Sequence, residues 1–248
     1  MDDPSLLRYS RHLLLEPIGV AGQEAIRRAR VLQIGAGGLG SPAAAYLVAS
    51  GIARLVLFDA DKVDLTNLQR QFLHTTARIG QDKAASAAQW LHELNPGVAV
   101  EPVAERATQA SLDRFLARTD VVLDCSDNLE TRRAINRACV AWGVPLVSAA
   151  ASGFSGQLAV FDLRRNDAPC YACLFPEGMG SDDSCAVMGV FAPLAGLLGT
   201  LQAAETLRLI HPFGAASSGQ LIVVDGPDLE LRRLRFARDP ACPVCGAG

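Results

Sequence analysis

From Val31 to Gly40 the chain reads Val-Leu-Gln-Ile-Gly-Ala-Gly-Gly-Leu-Gly, an apolar strand running straight into a Gly-x-Gly-x-x-Gly turn and then an alanine-rich helix. Glycines at 35, 37 and 40 permit a tight turn and close approach of the backbone to an anion. The helix behind them directs free N–H groups and about half a positive charge at the same point. The stretch is a phosphate cradle. Asp59 closes the next strand, Arg54 to Asp59, about twenty residues further on, where a dinucleotide-binding fold holds a ribose. By themselves the turn and this acid point to a nicotinamide cofactor and an oxidoreductase.

Around this unit strands and helices alternate, which implies a parallel sheet with right-handed crossovers. The pattern predicts helices over 5–15 and 23–28, strands at 31–35, 54–59, 97–102, 120–124 and 145–149, and helices near 41–50, 81–94, 109–118 and 129–142. Asp127 or Asn128 can cap the last of these. Beyond residue 150 the style changes: 156–162, 220–225 and 229–236 read as antiparallel strands, with a long helix from 191 to 209. The expected fold is α/β, a doubly wound, mostly parallel, Rossmann-like sheet with an antiparallel C-terminal extension. A single domain over 1–248 is expected, with 1–150 as its nucleotide-binding half. Residues 163–190, rich in Asp, Gly and Pro, form the longest segment without a regular pattern.

Several function classes are disfavoured. With a net charge of −3 and no basic run, the chain has no electrostatic case for nucleic acid. Its acidic start lacks an apolar signal core, and the greasiest stretch, Val190 to Leu201, is short and broken by Pro193, Gly196 and Gly199. A cytoplasmic protein with no membrane association is expected. Seven cysteines without an export signal then need an explanation other than disulfides.

Four of them supply one. Cys170-Tyr-Ala-Cys173 and Cys242-Pro-Val-Cys245 are paired Cys-x-x-Cys knuckles, the full thiolate set for a tetrahedral structural zinc with no open position for catalysis; a redox dithiol pair is the competing reading. Cys125 and Cys139 read as small core residues, whereas Cys185 lies in a polar loop where a thiol could act as a nucleophile. The histidines at 12, 74, 92 and 211 have no spacing that suggests a metal set or triad.

In an open α/β sheet the ligand binds outside the carboxyl ends of the strands. There lie the glycine turn, Asp59 with Asp61, Asn67-Leu68-Gln69-Arg70-Gln71, and Asp124-Cys125-Ser126-Asp127-Asn128, with Lys83 opening a helix beside them. Hydride transfer needs little positive charge beyond the helix end. Arg70, Lys83, Gln71 and Asn67 directed at phosphates suit breaking a phosphate linkage, because nucleotidyl transfer depends on neutralising the leaving group. Asp127 is of the type that holds Mg²⁺. The balance moves from redox chemistry to nucleotidyl transfer.

Arg8-Tyr9-Ser10-Arg11, the glycine turn, Asn67 to Gln71, Lys83, Asp124 to Asn128 and both knuckles, in this order, resemble the MoeB/ThiF adenylyltransferases. These are bacterial relatives of the ubiquitin-activating enzymes. The resemblance implies ATP-dependent adenylation of the C-terminal glycine of a small ubiquitin-like sulfur carrier, ThiS- or MoaD-like, with release of pyrophosphate. Sulfur then displaces AMP to leave a thiocarboxylate for thiamin-thiazole or molybdopterin synthesis.

Carried over residue by residue, it implies that Gly38 contacts phosphate and that Asp59 holds the ribose. Asn67, Arg70 and Lys83 would bind the triphosphate, with Asp61, Thr66, Leu68, Gln69 and Gln71 in the same nucleotide site. Asp127 would bind Mg²⁺ beside Asn128. Arg11 would serve a neighbouring subunit's ATP site, implying a homodimer, and Cys185 would form a persulfide-linked bond to the carrier. The half from 151 to 248 would bind the carrier and the zinc. The chain ends without the rhodanese domain of longer relatives, so a separate sulfur donor is expected. Ala151 to Gln157 and the Cys-Pro-Val-Cys ending look more like ThiF-type members, since MoeB-type members tend to have a bulky polar residue before the Gly-Gln pair. The readings that compete with adenylation are an NAD-dependent oxidoreductase and a non-catalytic docking protein for a carrier.

Overall fold

The structure, a computed structural model, describes residues 1–176, 189–215 and 217–246. One eight-stranded sheet runs through it in the order β3-β2-β1-β4-β5-β6-β7-β8. The strands are β1 (Arg30–Ile34), β2 (Arg54–Phe58), β3 (Ala99–Val103), β4 (Val121–Asp124), β5 (Leu146–Ser152), β6 (Ser155–Phe161), β7 (Gln220–Asp225) and β8 (Glu230–Arg235). β3, β2, β1, β4 and β5 are parallel neighbours, and β6 to β8 pair antiparallel beyond them.

Nine α-helices cover the described part of the sheet: α1 (Asp3–Arg8), α2 (Ser10–Leu13), α3 (Gly19–Ile26), α4 (Gly40–Ala49), α5 (Lys83–Leu94), α6 (Gln109–Leu116), α7 (Leu129–Trp142), α8 (Tyr171–Leu174) and α9 (Ala192–Ile210). The central strands bury both faces, so alternate residues enter different cores. Val31, Leu55, Leu57, Leu123 and Val147 pack with α4, α5 and α9, while Leu32, Val56, Phe58, Val122 and Leu146 pack with α6 and α7. The order reverses between β1 and β4, and the crevice outside their carboxyl ends is the site such a sheet offers a ligand.

The alternation is as the sequence implies, with three adjustments. The helix expected over 5–15 is broken at Tyr9, which leaves helical geometry at φ −99°, ψ 11°. Its ring is buried against Gly51 and its hydroxyl accepts from Asn95 Nδ2 at 3.1 Å, so a long-range anchor overrides the local period. β5 runs three residues past its expected end, because a hairpin to β6 extends the ladder to Ser152 and Ser155. The unpatterned segment 163–190 contains α8, set by Tyr171 N–H donating to Asn136 Oδ1 at 2.9 Å. Among the described residues no helix is long and apolar enough to cross a membrane.

Candidate active site

The glycine turn is built by collisions that only glycine avoids. Gly35 adopts φ +102°, and a Cβ there would stand 2.6 Å from the Cys125 carbonyl oxygen; one on Gly40 would strike the Gly35 carbonyl. Buried Gln33 locks the turn from below, its Nε2 donating to Gly35 O at 2.9 Å and Gly40 O at 3.0 Å. Asp59 closes it from β2, with Oδ2 accepting from Ala36 N–H at 2.7 Å and Oδ1 from Asp61 N–H at 2.9 Å. Burial raises the Asp59 pKa, an effect opposed by those N–H groups and by Lys83.

Around the turn opens a cleft of about 1010 Å³. Gly38, Asp59, Asp61, Gln69, Arg70, Gln71, Lys83, Asp127 and Asn128 all line it. The far wall comes from the antiparallel half, including Ala150, Ser152, Gln157 and Val223. Thr66, Asn67 and Leu68 stand back from it. Asp64 caps their 3₁₀ turn through Thr66 N–H at 2.9 Å, and Asn67 Nδ2 donates to Thr66 Oγ1 at 3.4 Å. That turn carries Arg70 forward, its stem against Gly38 and its Nη1 donating to Thr66 O at 3.2 Å.

The charges differ in how they are spent. Lys83, 6% exposed, donates through Nζ to Asp61 Oδ2 at 2.9 Å. Arg132 is buried against Asp124, Nη1 to Oδ2 at 3.6 Å, and also donates to Ala149 O at 2.9 Å and to Ser126 O. Asp124 further accepts from Ser126 N–H at 3.0 Å and Ser148 Oγ at 2.7 Å. This buried network fixes the β4–α7 turn. Arg70 and Asp127, by contrast, have no ion-pair partner among the described residues. Asn128 rather than Asp127 caps α7, accepting from Thr131 N–H at 2.9 Å, which leaves the Asp127 carboxylate exposed to the cleft and, among the described residues, near Asn128 Nδ2 at 3.4 Å. An open carboxylate of this kind suits a hard cation.

Arg11 lies exposed on α2 and does not line the cleft. Cys185 lies outside the described residues. Cys125 and Cys139 are buried core thiols, pushed up in pKa by burial. Motif reading passed over Gln33, Arg132 and His74. Gln33 is a polar residue inside an apolar strand, the one sequence signal that could have found it. Arg132 and His74 acquire their roles only through long-range contacts.

The two knuckles meet beside α7, where Asn136 reaches Cys170. Cys170, Cys173, Cys242 and Cys245 bring four sulfurs within 4.8 Å of one another. Sγ separations of 3.7 Å (Cys170 to Cys242), 3.9 Å (Cys170 to Cys173) and 3.4 Å (Cys173 to Cys245) are near the edge of about 3.8 Å in a tetrahedron with Zn–S bonds of about 2.3 Å. Asn136 Nδ2 donates to Cys170 Sγ at 3.6 Å and Asp239 N–H to Cys173 Sγ at 3.4 Å, the outer contacts that suit thiolates. Burial resists ionisation of Cys242, yet backbone N–H groups of Cys245 and Val244 bring it down to about 7. The donor set and its spacing fit zinc.

Comparison with known proteins agrees with this geometry. The Escherichia coli (strain K12) sulfur carrier protein ThiS adenylyltransferase is 44% identical over 246 residues, covering 99% of this chain and 97% of that one. The molybdopterin-synthase adenylyltransferase of the same organism is 41% identical over 246 residues, covering 99% and 98%. Adenylyltransferase and sulfurtransferase MOCS3 of Sus scrofa is 43% identical over 99% of this chain but only 54% of its own length. Among solved structures, Escherichia coli MccB with MccA-N7isoASN shares the fold at TM-score 0.83 and 24% identity, over 98% of this chain and 75% of that one. The ThiF family model matches residues 9–244, and the chain belongs to the ThiF family.

Proposed function

We propose that the cleft catalyses ATP-dependent adenylation of the C-terminal glycine of a small ubiquitin-like sulfur carrier, ThiS- or MoaD-like. The observation that carries this is a cation and a carboxylate, Arg70 and Asp127, with no ion-pair partner among the described residues, facing one glycine turn at the β1/β4 switch point. Two relatives covered almost end to end are named as adenylyltransferases, one for ThiS and one for molybdopterin synthase.

In this reading the turn and α4 receive the phosphates and Asp59 the ribose. The carrier carboxylate is already ionised at neutral pH, so no general base is needed. It attacks the α-phosphate, an acyl adenylate forms, and pyrophosphate leaves. Arg70 and Lys83 offset the negative charge that gathers on the departing pyrophosphate; Lys83 exchanges its Asp61 contact for phosphate oxygens. Asp127 would hold Mg²⁺, which when bound neutralises phosphate charge. Cys170, Cys173, Cys242 and Cys245 would hold a structural zinc in the carrier-binding half, 151–248.

Arg11, exposed and away from its own cleft, would reach the ATP site of a second copy in a homodimer. Cys185 would link to the carrier while a separate donor delivers sulfur, on the strength of the sequence resemblance alone. A nicotinamide reaction has only the turn and Asp59 in its support.

Exchange of labelled pyrophosphate into ATP, measured with ThiS-like and MoaD-like carriers in turn, tests the proposal. Carrier-dependent exchange is expected, with the ThiS-like carrier preferred. No exchange with any such carrier would sink the reading.

A further inference from the structure

The peptide that joins Ala36 to Gly37 is held from beneath by a histidine that no motif includes. His74 is 4% exposed, and its Nε2 lies 3.0 Å from Ala36 O, which Ser41 Oγ also approaches at 3.5 Å. A carbonyl oxygen can only accept, so Nε2 carries the proton. Its Nδ1 lies 3.0 Å from Ser86 Oγ on α5 and is left to accept the serine hydroxyl. Burial holds the His74 pKa below its ordinary value, in keeping with a neutral ring.

The consequence follows from the planarity of a trans peptide, in which the C=O and the next N–H point in opposite directions. With Ala36 O turned inward to His74, the Gly37 N–H is turned outward to the cleft, where it has no acceptor among the described residues. The preceding peptide is held as well, Gly35 O by Gln33 and Ala36 N–H by Asp59. Glycine at 37 imposes little torsional resistance of its own. Without the His74 bond this peptide can rotate and swing a carbonyl dipole toward the place the turn reserves for an anion.

We infer that His74 is a positioning residue for the nucleotide phosphates, its buried Nε2–H keeping the Gly37 N–H aimed into the cleft and the Ala36 carbonyl turned away. The inference rests on the adenylation reading only in requiring an anionic nucleotide at the turn. Its signature is selective: ATP feels the peptide and adenosine does not.

Calorimetric titration of the full chain with ATP and with adenosine tests it. His74→Leu should weaken ATP binding about tenfold, the weight of one hydrogen bond to a charged group, and leave adenosine within twofold. His74→Gln, which offers an N–H donor of similar reach, should restore most of the loss. Ser86→Ala removes only the ring's anchor and should cost ATP about threefold; it carries the test if His74→Leu does not fold. Unchanged ATP affinity in His74→Leu and Ser86→Ala, or equal losses for ATP and adenosine, would overturn the inference. Phosphate-selective losses with no carrier-dependent exchange would uphold His74 and sink adenylation alone.

Discussion

The glycine turn and the thiol cluster are organised in different ways. At the glycine turn nearly every restraint is a hydrogen bond between the backbone and a polar side chain: buried Gln33 donates to residues 35 and 40, half-buried Asp59 accepts from residue 36, and buried His74 donates to residue 36. At the thiol cluster the restraints are four side chains brought together across 72 residues of sequence. The glycine turn is assembled by the parallel core itself. The thiol cluster is packed as well, with Cys170 and Cys242 buried and Tyr171, next to Cys170 in sequence, against Phe161 and Phe175, but it gathers residues from two distant segments. The turn that presents N–H groups is built into the parallel core; the knuckles join two segments 72 residues apart.

Breaking the thiol cluster should have the largest effect. Cys173→Ser is expected to release about one equivalent of zinc per chain, seen by elemental analysis, and to cost the C-terminal half on the order of 10 kcal/mol. ATP binding at the turn should survive. A metal-free protein that is folded throughout would remove the contrast altogether.

Beside the glycine turn, Arg132→Met leaves the Asp124 charge buried and unpaired, and denaturant unfolding should show a loss of about 3–5 kcal/mol. Arg70→Ala and Asp127→Ala should leave that stability unchanged and lower pyrophosphate exchange at least about a hundredfold, about 3 kcal/mol in the transition state. Full thiocarboxylate production in either variant would point to a docking protein instead.

The smallest effect concerns His74. Burial, with Lys83 and Arg78 nearby, lowers its folded pKa below the ordinary value of about 6.5, so on acidification the unfolded chain takes up the proton first. Its contribution to stability is complete above about pH 6.5 and is lost as the pH falls below that. His74→Gln should flatten this part of the stability profile, measured by denaturant unfolding from pH 7 to 5.

The same contrast explains what could be read from the sequence. Strand, glycine turn and helix are local and obey period and propensity, so β1, α4 and the Asp59 strand end are legible. The two knuckles are legible as an inventory of ligands, although their 72-residue separation hides the meeting. Residues whose roles depend on distant partners are not legible. Tyr9 breaks a helix for Asn95, and Arg132 looks like any helix arginine until Asp124 and Ala149 surround it. Asn128 takes the cap and frees Asp127, a choice between adjacent residues that sequence leaves open.

The most direct measurement is the intact mass of a carrier incubated with this protein, ATP and Mg²⁺. The account predicts a ThiS-like or MoaD-like carrier heavier by one adenylyl group, and no change when its terminal glycine is deleted. Candidate carriers that all keep their mass, or a truncated carrier that gains it, would contradict the account.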